Sequence, residues 1–184
     1  MVGMGQSLPE KVAHSVALLQ EYQPEGVYHG CYSGGKDSDV IKALATMAGV
    51  RVAWNHNVTT IDPPELYRHI RRNHPDVVWH YPAEHFFRLL AEKRGYPLRT
   101  TRWCCEAYKE GHGNEPGTVK ITGIRAAESP RRKADWREFT RWQPKGISAS
   151  WMLNPILHWS DSDVWQFIRE QELPYCELYD EGWK

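Results

Sequence analysis

The stretch GCYSGGKDSDV, Gly30 to Val40, decides how the rest of the chain is read. It fits the phosphate-binding pattern G-x-x-x-x-G-K from Gly30 through Lys36. The next residue of that pattern should be a Ser or Thr hydroxyl that holds magnesium, and here it is Asp37. The core of the stretch, SGGKDS, leaves a short β-prone run and opens a segment with helical spacing. Adjacent Gly34 and Gly35 allow positive φ and let consecutive backbone N–H groups face one anion. The helix N-terminus behind them adds unpaired N–H groups and the positive end of its dipole. Ser33 and Ser38 supply hydroxyls and Lys36 a charge. A plain strand-to-helix turn would need none of these together, so the loop reads as a phosphate cradle, whether a spoiled version of that pattern or a different one.

Working outward, GVYHGCY before the loop is a strand, and KDSDVIKALATMAG after it a helix closed by Gly49. Upstream, SLPEKVAHSVALLQEY reads as a helix with an S-x-x-E capping box at Ser7 and Glu10. Downstream come strand candidates VRVAWNHN, DVVWHYP and TVKITGI. Helix candidates are PPELYRHIRRN, AEHFFRLLAEKRG and SDSDVWQFIREQ, the last capped by Ser160 or Asp161. Strands alternating with helices predict an α/β fold, a doubly wound parallel sheet with helices on both faces. Its ligand is expected beyond the carboxyl ends of the strands. Residues 126–150 lack periodicity, carry a basic cluster, and are expected to form an irregular active-site loop. The 184 residues suit one domain with a real core and room for a small appendage.

The 23 basic and 23 acidic residues cancel, which argues against a bulk attraction to nucleic acid, though the cluster Arg131, Arg132 and Lys133 leaves room for a small contact. No apolar run approaches the ~20 residues of a membrane span, and no signal-peptide pattern opens the chain, so a cytoplasmic protein is expected. Trp159 and Trp165 are expected in the core. Arg125, just past a strand and a glycine, can meet phosphate oxygens bidentately or pair with Glu128. Of the four cysteines, Cys31 is expected as a small buried hydrophobe, while the adjacent Cys104 and Cys105 need an explanation of their own.

SGGKDS resembles the signature loop of the adenine-nucleotide α-hydrolase-like (PP-loop) proteins. More narrowly, the chain is similar to the phosphoadenosine phosphosulfate (PAPS) reductase family. TGIRAAESPRR (122–132) is similar to that family's T-G-x-R-x-x-E-S-x-x-R, and NPILHWSDSDVWQFI (154–168) to its P-[IL]-x-x-W-x-x-x-D-V-W. TTIDPPELYRHI is a looser match, keeping Thr60, Pro64 and Glu65 but with Asn57 where an aspartate is usual. The resemblance implies a Rossmann-like fold and a nucleotide site built from Ser33, Gly34, Gly35, Lys36, Asp37, Ser38, Thr60, Gly123, Arg125, Glu128, Ser129 and Arg132. Lys36, Asp37 and Arg125 are its catalytic candidates. The ligand it implies is PAPS, adenylyl sulfate or ATP, the last with magnesium.

RWCCEAYK (102–109) resembles the paired-cysteine element that helps hold a [4Fe–4S] cluster in adenylyl-sulfate reductases, making Cys104, Cys105 and Cys176 candidate ligands. Such a cluster needs about four thiolates. The family's C-x-x-C is absent, and LPYCELYDEGWK resembles the run that precedes it, so the chain is expected to stop short of its natural end. The family's E-C-G-[LI]-H tail is absent too, so sulfate reduction by these 184 residues alone is not supported. Three readings follow: a PAPS reductase-like sulfur enzyme working with a thiol reductant, an ATP α,β-hydrolase adenylylating tRNA or DNA for thiolation with a sulfur donor protein, or a non-catalytic nucleotide-binding subunit. A homodimer is compatible with each.

Overall fold

Leu8–Glu21 (α1) starts where the capping box places it, the Ser7 backbone N–H donating to Glu10 Oε2 at 2.7 Å. The computed structural model describes residues 6–98, 101–109, 111–128, 136–143 and 149–183. Tyr28–Cys31 (β1) leads through the glycine loop into Lys36–Ala48 (α2). Val52–Asn57 (β2), Pro64–Asn73 (α3) and Val78–His80 (β3) follow. Phe86–Leu89 (α4), Trp103–Tyr108 (α5) and Val119–Ile121 (β4) come next, then Phe139–Trp142 (β5), Ser150–Leu153 (β6) and Asp161–Glu170 (α6).

The six strands lie in the order β3-β2-β1-β4-β6-β5, all parallel except the antiparallel β5–β6 pair. Strand order reverses between β1 and β4, whose registers join His29 to Lys120 and Gly30 to Ile121. The crevice beyond their carboxyl ends is where such sheets bind ligands, and the SGGKDS loop leaves β1 there.

The helix after the loop is held by what it buries. Val40, Ile41 and Leu44 of α2 are fully buried against Leu19, Tyr28 and Ile121, each large side chain contributing about 1.5–3 kcal/mol by leaving water. α6 adds Val164, Phe167 and Ile168 to the same cluster. Gly49 ends α2 in the left-handed conformation, as expected.

Two departures from the expected layout have physical reasons. The helix expected over 83–95 is α4 followed by a π-helical turn, Leu90–Arg94. The wider turn lets the consecutive Leu89 and Leu90 both pack on Phe86, Trp103 and Tyr108. The segment 126–150, expected to be irregular, contains β5, whose Phe139 ring stacks on Trp151 of β6 at 4.9 Å. A cross-strand pair stabilises an edge strand that shows no alternation of its own. Residues 129–135 and 144–148 of that segment lie outside the described residues.

Candidate nucleotide site

Gly34 has φ +80°, and a Cβ there would lie 2.8 Å from Ile70. Only glycine turns the chain this way and fits beneath α3. Gly35 then caps α2, its carbonyl accepting from the Ser38 hydroxyl at 2.6 Å and the Ser38 N–H at 2.8 Å. Ser33 Oγ accepts from the Gly35 N–H at 3.4 Å. Ser33, Gly35 and Ser38 are thus tied to one another at the start of α2.

Lys36, Asp37 and Arg125 also come together there, with a partner not foreseen. Arg125 is almost fully buried and sits with Nε 2.9 Å from Asp37 Oδ1 and Nη2 3.1 Å from Asp161 Oδ1. Lys36 Nζ lies 3.3 Å from the same Asp161 oxygen. The Arg125 partners are therefore Asp37 and Asp161, while Glu128, the alternative partner, is exposed at the end of the short Ala126–Glu128 turn. Burial pushes the Asp37 carboxyl above the usual aspartate range, and Arg125 and Lys36 pull it back. The Nε–Oδ1 pair is held by charge, since among the described residues neither atom has an aligned hydrogen bond.

The Lys36 ammonium also lies 5.2 Å from the Tyr179 ring centre and 5.9 Å from that of Trp165. Trp165, expected in the core, is partly buried and walls this site, whereas Trp159 is in the core as expected. Tyr179 Oη accepts from the Lys36 backbone N–H at 3.1 Å, one of the donors assigned to phosphate. Tyr179 stands in a short C-terminal turn far along the chain, and only the recurrence of aromatic and acidic residues after α6 hinted at it.

Gly123 is present for close approach: a Cβ there would meet the Asp37 backbone at 3.2 Å, so the β4 exit could no longer rest on the first turn of α2. The same exit is braced by Asn154, fully buried, which accepts from the Thr122 hydroxyl at 2.5 Å and donates to the Arg137 carbonyl at 2.8 Å. Thr60 has φ +66° and its hydroxyl accepts from the Phe86 N–H at 2.9 Å, so it fixes the start of α4; its neighbour Thr59 lines the cavity beside the loop. Ser129 and Arg132 lie outside the described residues.

That cavity, about 180 Å³, runs from Ser33 along the carboxyl ends of β1 and β2. His56 and Asn57 border it. His56 Nδ1 lies 3.0 Å from the Tyr32 carbonyl, which can only accept, so Nδ1 carries the proton. Burial lowers the pKa of His56, so the ring is neutral and Nε2 is left as an acceptor. Asn57 donates through Nδ2 to the Lys109 carbonyl at 3.2 Å, which leaves Oδ1 as an acceptor too. Both atoms are buried and without a hydrogen-bond partner among the described residues. Such atoms cost free energy until a donor meets them. The site residues therefore fit a ligand with phosphate at one end and an N–H donor at the other.

The cysteines occupy different elements of the fold. Cys104 and Cys105 sit on α5 beside the Phe86, Trp103 and Tyr108 cluster, and Arg102 donates to Cys105 Sγ at 3.2 Å. Cys176 is buried on the far side of the loop, where its thiol is pushed up first by burial and then by the charges of Glu177, Asp39 and Glu65. Among the described residues these sulfurs form no set with atoms within 4.8 Å of one another. The three candidate cysteines are fewer than the about four thiolates a [4Fe–4S] cluster needs. Cys31, expected as a small buried hydrophobe, is half-buried and borders the cavity, its thiol pushed up to about 11 by desolvation. No described helix is long and apolar enough to cross a membrane.

Residues 29–184 match the family described as the phosphoadenosine phosphosulfate reductase domain. The chain belongs to this family. It is 31% identical over 166 residues to the uncharacterized protein MJ0066 of Methanocaldococcus jannaschii, covering 82% of this chain and 33% of that protein. The chain thus spans about a third of the length of that curated relative. In fold it is similar to a PAPS reductase from Candida auris, with TM-score 0.67, 16% identity and coverage of 99% of this chain and 95% of the other. It is similar also to the Candida glabrata FMN adenylyltransferase, with TM-score 0.63, 16% identity and coverage of 97% and 64%.

Proposed function

We propose that residues 29–184 form one adenine-nucleotide-binding unit of a sulfur enzyme, with phosphate on the Ser33–Ser38 loop and the base in the cavity bordered by His56 and Asn57. The observation that carries this reading is the pair of unpartnered acceptors, His56 Nε2 and Asn57 Oδ1. An adenine amino group is a donor that both could meet, whereas a carbonyl at the same place would face two acceptors. Lys36 and Arg125 then stabilise the negative charge that builds as the group attached to the first phosphate departs. Asp37 orients Arg125 toward that charge.

The preferred substrate is a nucleotide sulfate such as PAPS or adenylyl sulfate, in keeping with the family. The attacking thiol comes from a separate reductant, because the described cavity cysteine, Cys31, is held as a poorly ionised thiol. That same observation favours a second reading, in which ATP is split between its first two phosphates and a substrate is adenylylated. The likeness in fold to an adenylyltransferase supports this alternative.

Calorimetry with PAPS, adenylyl sulfate, ATP and inosine triphosphate tests the proposal. Adenine nucleotides should bind at least ~10-fold more tightly than inosine triphosphate, the worth of one buried acceptor left unmet. Equal affinity for ATP and inosine triphosphate would remove the base from this cavity.

A further inference from the structure

Behind the nucleotide loop lies a second cluster that the proposed chemistry does not use. Asp39, on the first turn of α2, has a side chain only 1% exposed. Beside it lie two histidines, one on α3 and one just past its end: His69 Nε2 is 3.3 Å from Oδ2 and His74 Nε2 is 3.1 Å from Oδ1. The three ligand atoms lie within 4.8 Å of one another, and this is the one such set among the described residues. Tyr32 donates its hydroxyl to Asp39 Oδ1. Asp39 Oδ2 and His74 Nε2 are buried and without a hydrogen-bond partner among the described residues. A buried carboxylate with one oxygen unmet needs a cation or a full set of donors. Lys42 does not serve, since its ammonium is held by Asp76 at 2.5 Å.

We propose that Asp39, His69 and His74 form a binding site for a divalent transition-metal ion, zinc by preference, that ties the turn behind the nucleotide loop to α3. Zinc bonds of about 2.0–2.1 Å in tetrahedral array set ligand atoms about 3.3 Å apart. The carboxylate-to-imidazole separations, 3.3 Å from Oδ2 to His69 Nε2 and 3.1 Å from Oδ1 to His74 Nε2, are close to that spacing. Two imidazoles and one carboxylate are an N and O donor set that suits zinc, cobalt or iron rather than magnesium. His69 and His74 are separated by four residues, a spacing that zinc sites use. Asn73 lies 3.0 Å from His69 Nδ1, placed to fix that ring by its amide. A cavity of about 180 Å³, bordered by Asp39, His74 and Pro174, gives access and room for a water as fourth ligand.

The test is titration of the whole chain with cobalt(II), followed by displacement with zinc. Wild type should take up one cobalt per chain with visible bands of a four-coordinate ion and no thiolate charge-transfer band. Excess zinc should raise its melting temperature. Asp39→Asn and His69→Gln should lose cobalt by more than the ~100-fold that outer-sphere changes cost, and Asn73→Ala, an exposed substitution that leaves the ligands in place, should weaken it by ~10–100-fold. Circular dichroism checks that each variant is folded. A wild type that shows neither cobalt bands nor a zinc-dependent melting shift overturns the proposal. So does cobalt that carries thiolate charge transfer and survives Asp39→Asn, which would place the metal on Cys104 and Cys105.

Discussion

The phenolic oxygen of Tyr179 accepts the backbone N–H of Lys36 at 3.1 Å, at the point where the nucleotide loop enters its helix. A donor expected to meet phosphate is thus already met by a side chain from the far end of the chain. Tyr179→Phe frees that N–H, so ATP or PAPS should bind more tightly, by up to ~10-fold, the worth of one neutral hydrogen bond. Calorimetry on the two proteins decides it. Weaker binding by the phenylalanine variant would mean that the phenol itself contacts the ligand.

The two loop glycines should respond unequally to a methyl group. Gly34→Ala places Cβ at 2.8 Å from Ile70 in a left-handed backbone, and should cost about 1–3 kcal/mol of stability. Gly35→Ala meets the Tyr179 hydroxyl at 3.1 Å, which can turn aside, and Ser33 Oγ at an ordinary 3.5 Å. Urea denaturation should therefore order the proteins as wild type, then Gly35→Ala, then Gly34→Ala. A reversed order would contradict the close packing of the loop under α3.

Arg125 and Asp37 should behave as one unit. Arg125→Lys keeps the charge but loses the fork, and should weaken PAPS or ATP binding by about 1–3 kcal/mol. Arg125→Ala removes the largest charge offsetting the burial of Asp37, so it should also lower stability at pH 7. Because burial raises the Asp37 pKa in the folded protein, its ionised form subtracts stability above the unfolded value of 3.8. Adding Asp37→Asn to Arg125→Ala should then recover part of the loss. A double-mutant cycle with no coupling would show that the two side chains act separately.

Acid should destabilise the chain through its cavity histidines. Desolvation, then Lys120, pushes the pKa of His29 from 6.5 down to about 4. A histidine that binds its proton less readily when folded adds stability above the unfolded pKa, near 6.5, and loses it as pH falls toward 4. His56 and His80 shift in the same direction, each chiefly by burial. Urea midpoints at pH 7, 5.5 and 4.5 should fall, and His29→Gln should flatten the decline. An unchanged slope in that variant would assign the effect to other groups.

What the sequence discloses follows from how local each feature is. The SGGKDS loop, the capping box at Ser7 and the αL stop at Gly49 are each written within a few residues, and each is found where it was expected. β5 is not, because its support comes from the Phe139–Trp151 stack rather than from its own alternation. Lys36, Asp37 and Arg125 were singled out in the sequence and meet in space, but Asp161, Trp165 and Tyr179 reach Lys36 from more than a hundred residues away by sequence number. Cys104 and Cys105 look like half of a metal site in sequence; in space Cys104 packs on the Phe86 cluster, a contact no local pattern discloses. His69 and His74 carried a visible spacing whose meaning depended on a partner, Asp39, that only the contact of α2 with α3 supplies.

Asp161 is 62% exposed and neutralises both Lys36 and Arg125, whose own side chains are 9% and 6% exposed. An arriving phosphate therefore exchanges places with a carboxylate rather than meeting two bare cations. Fewer bound counterions are released in such an exchange, so affinity should fall only gently as ionic strength rises. Asp161 is also the first residue of α6, so the two ion pairs tie the first turn of that helix to the loop.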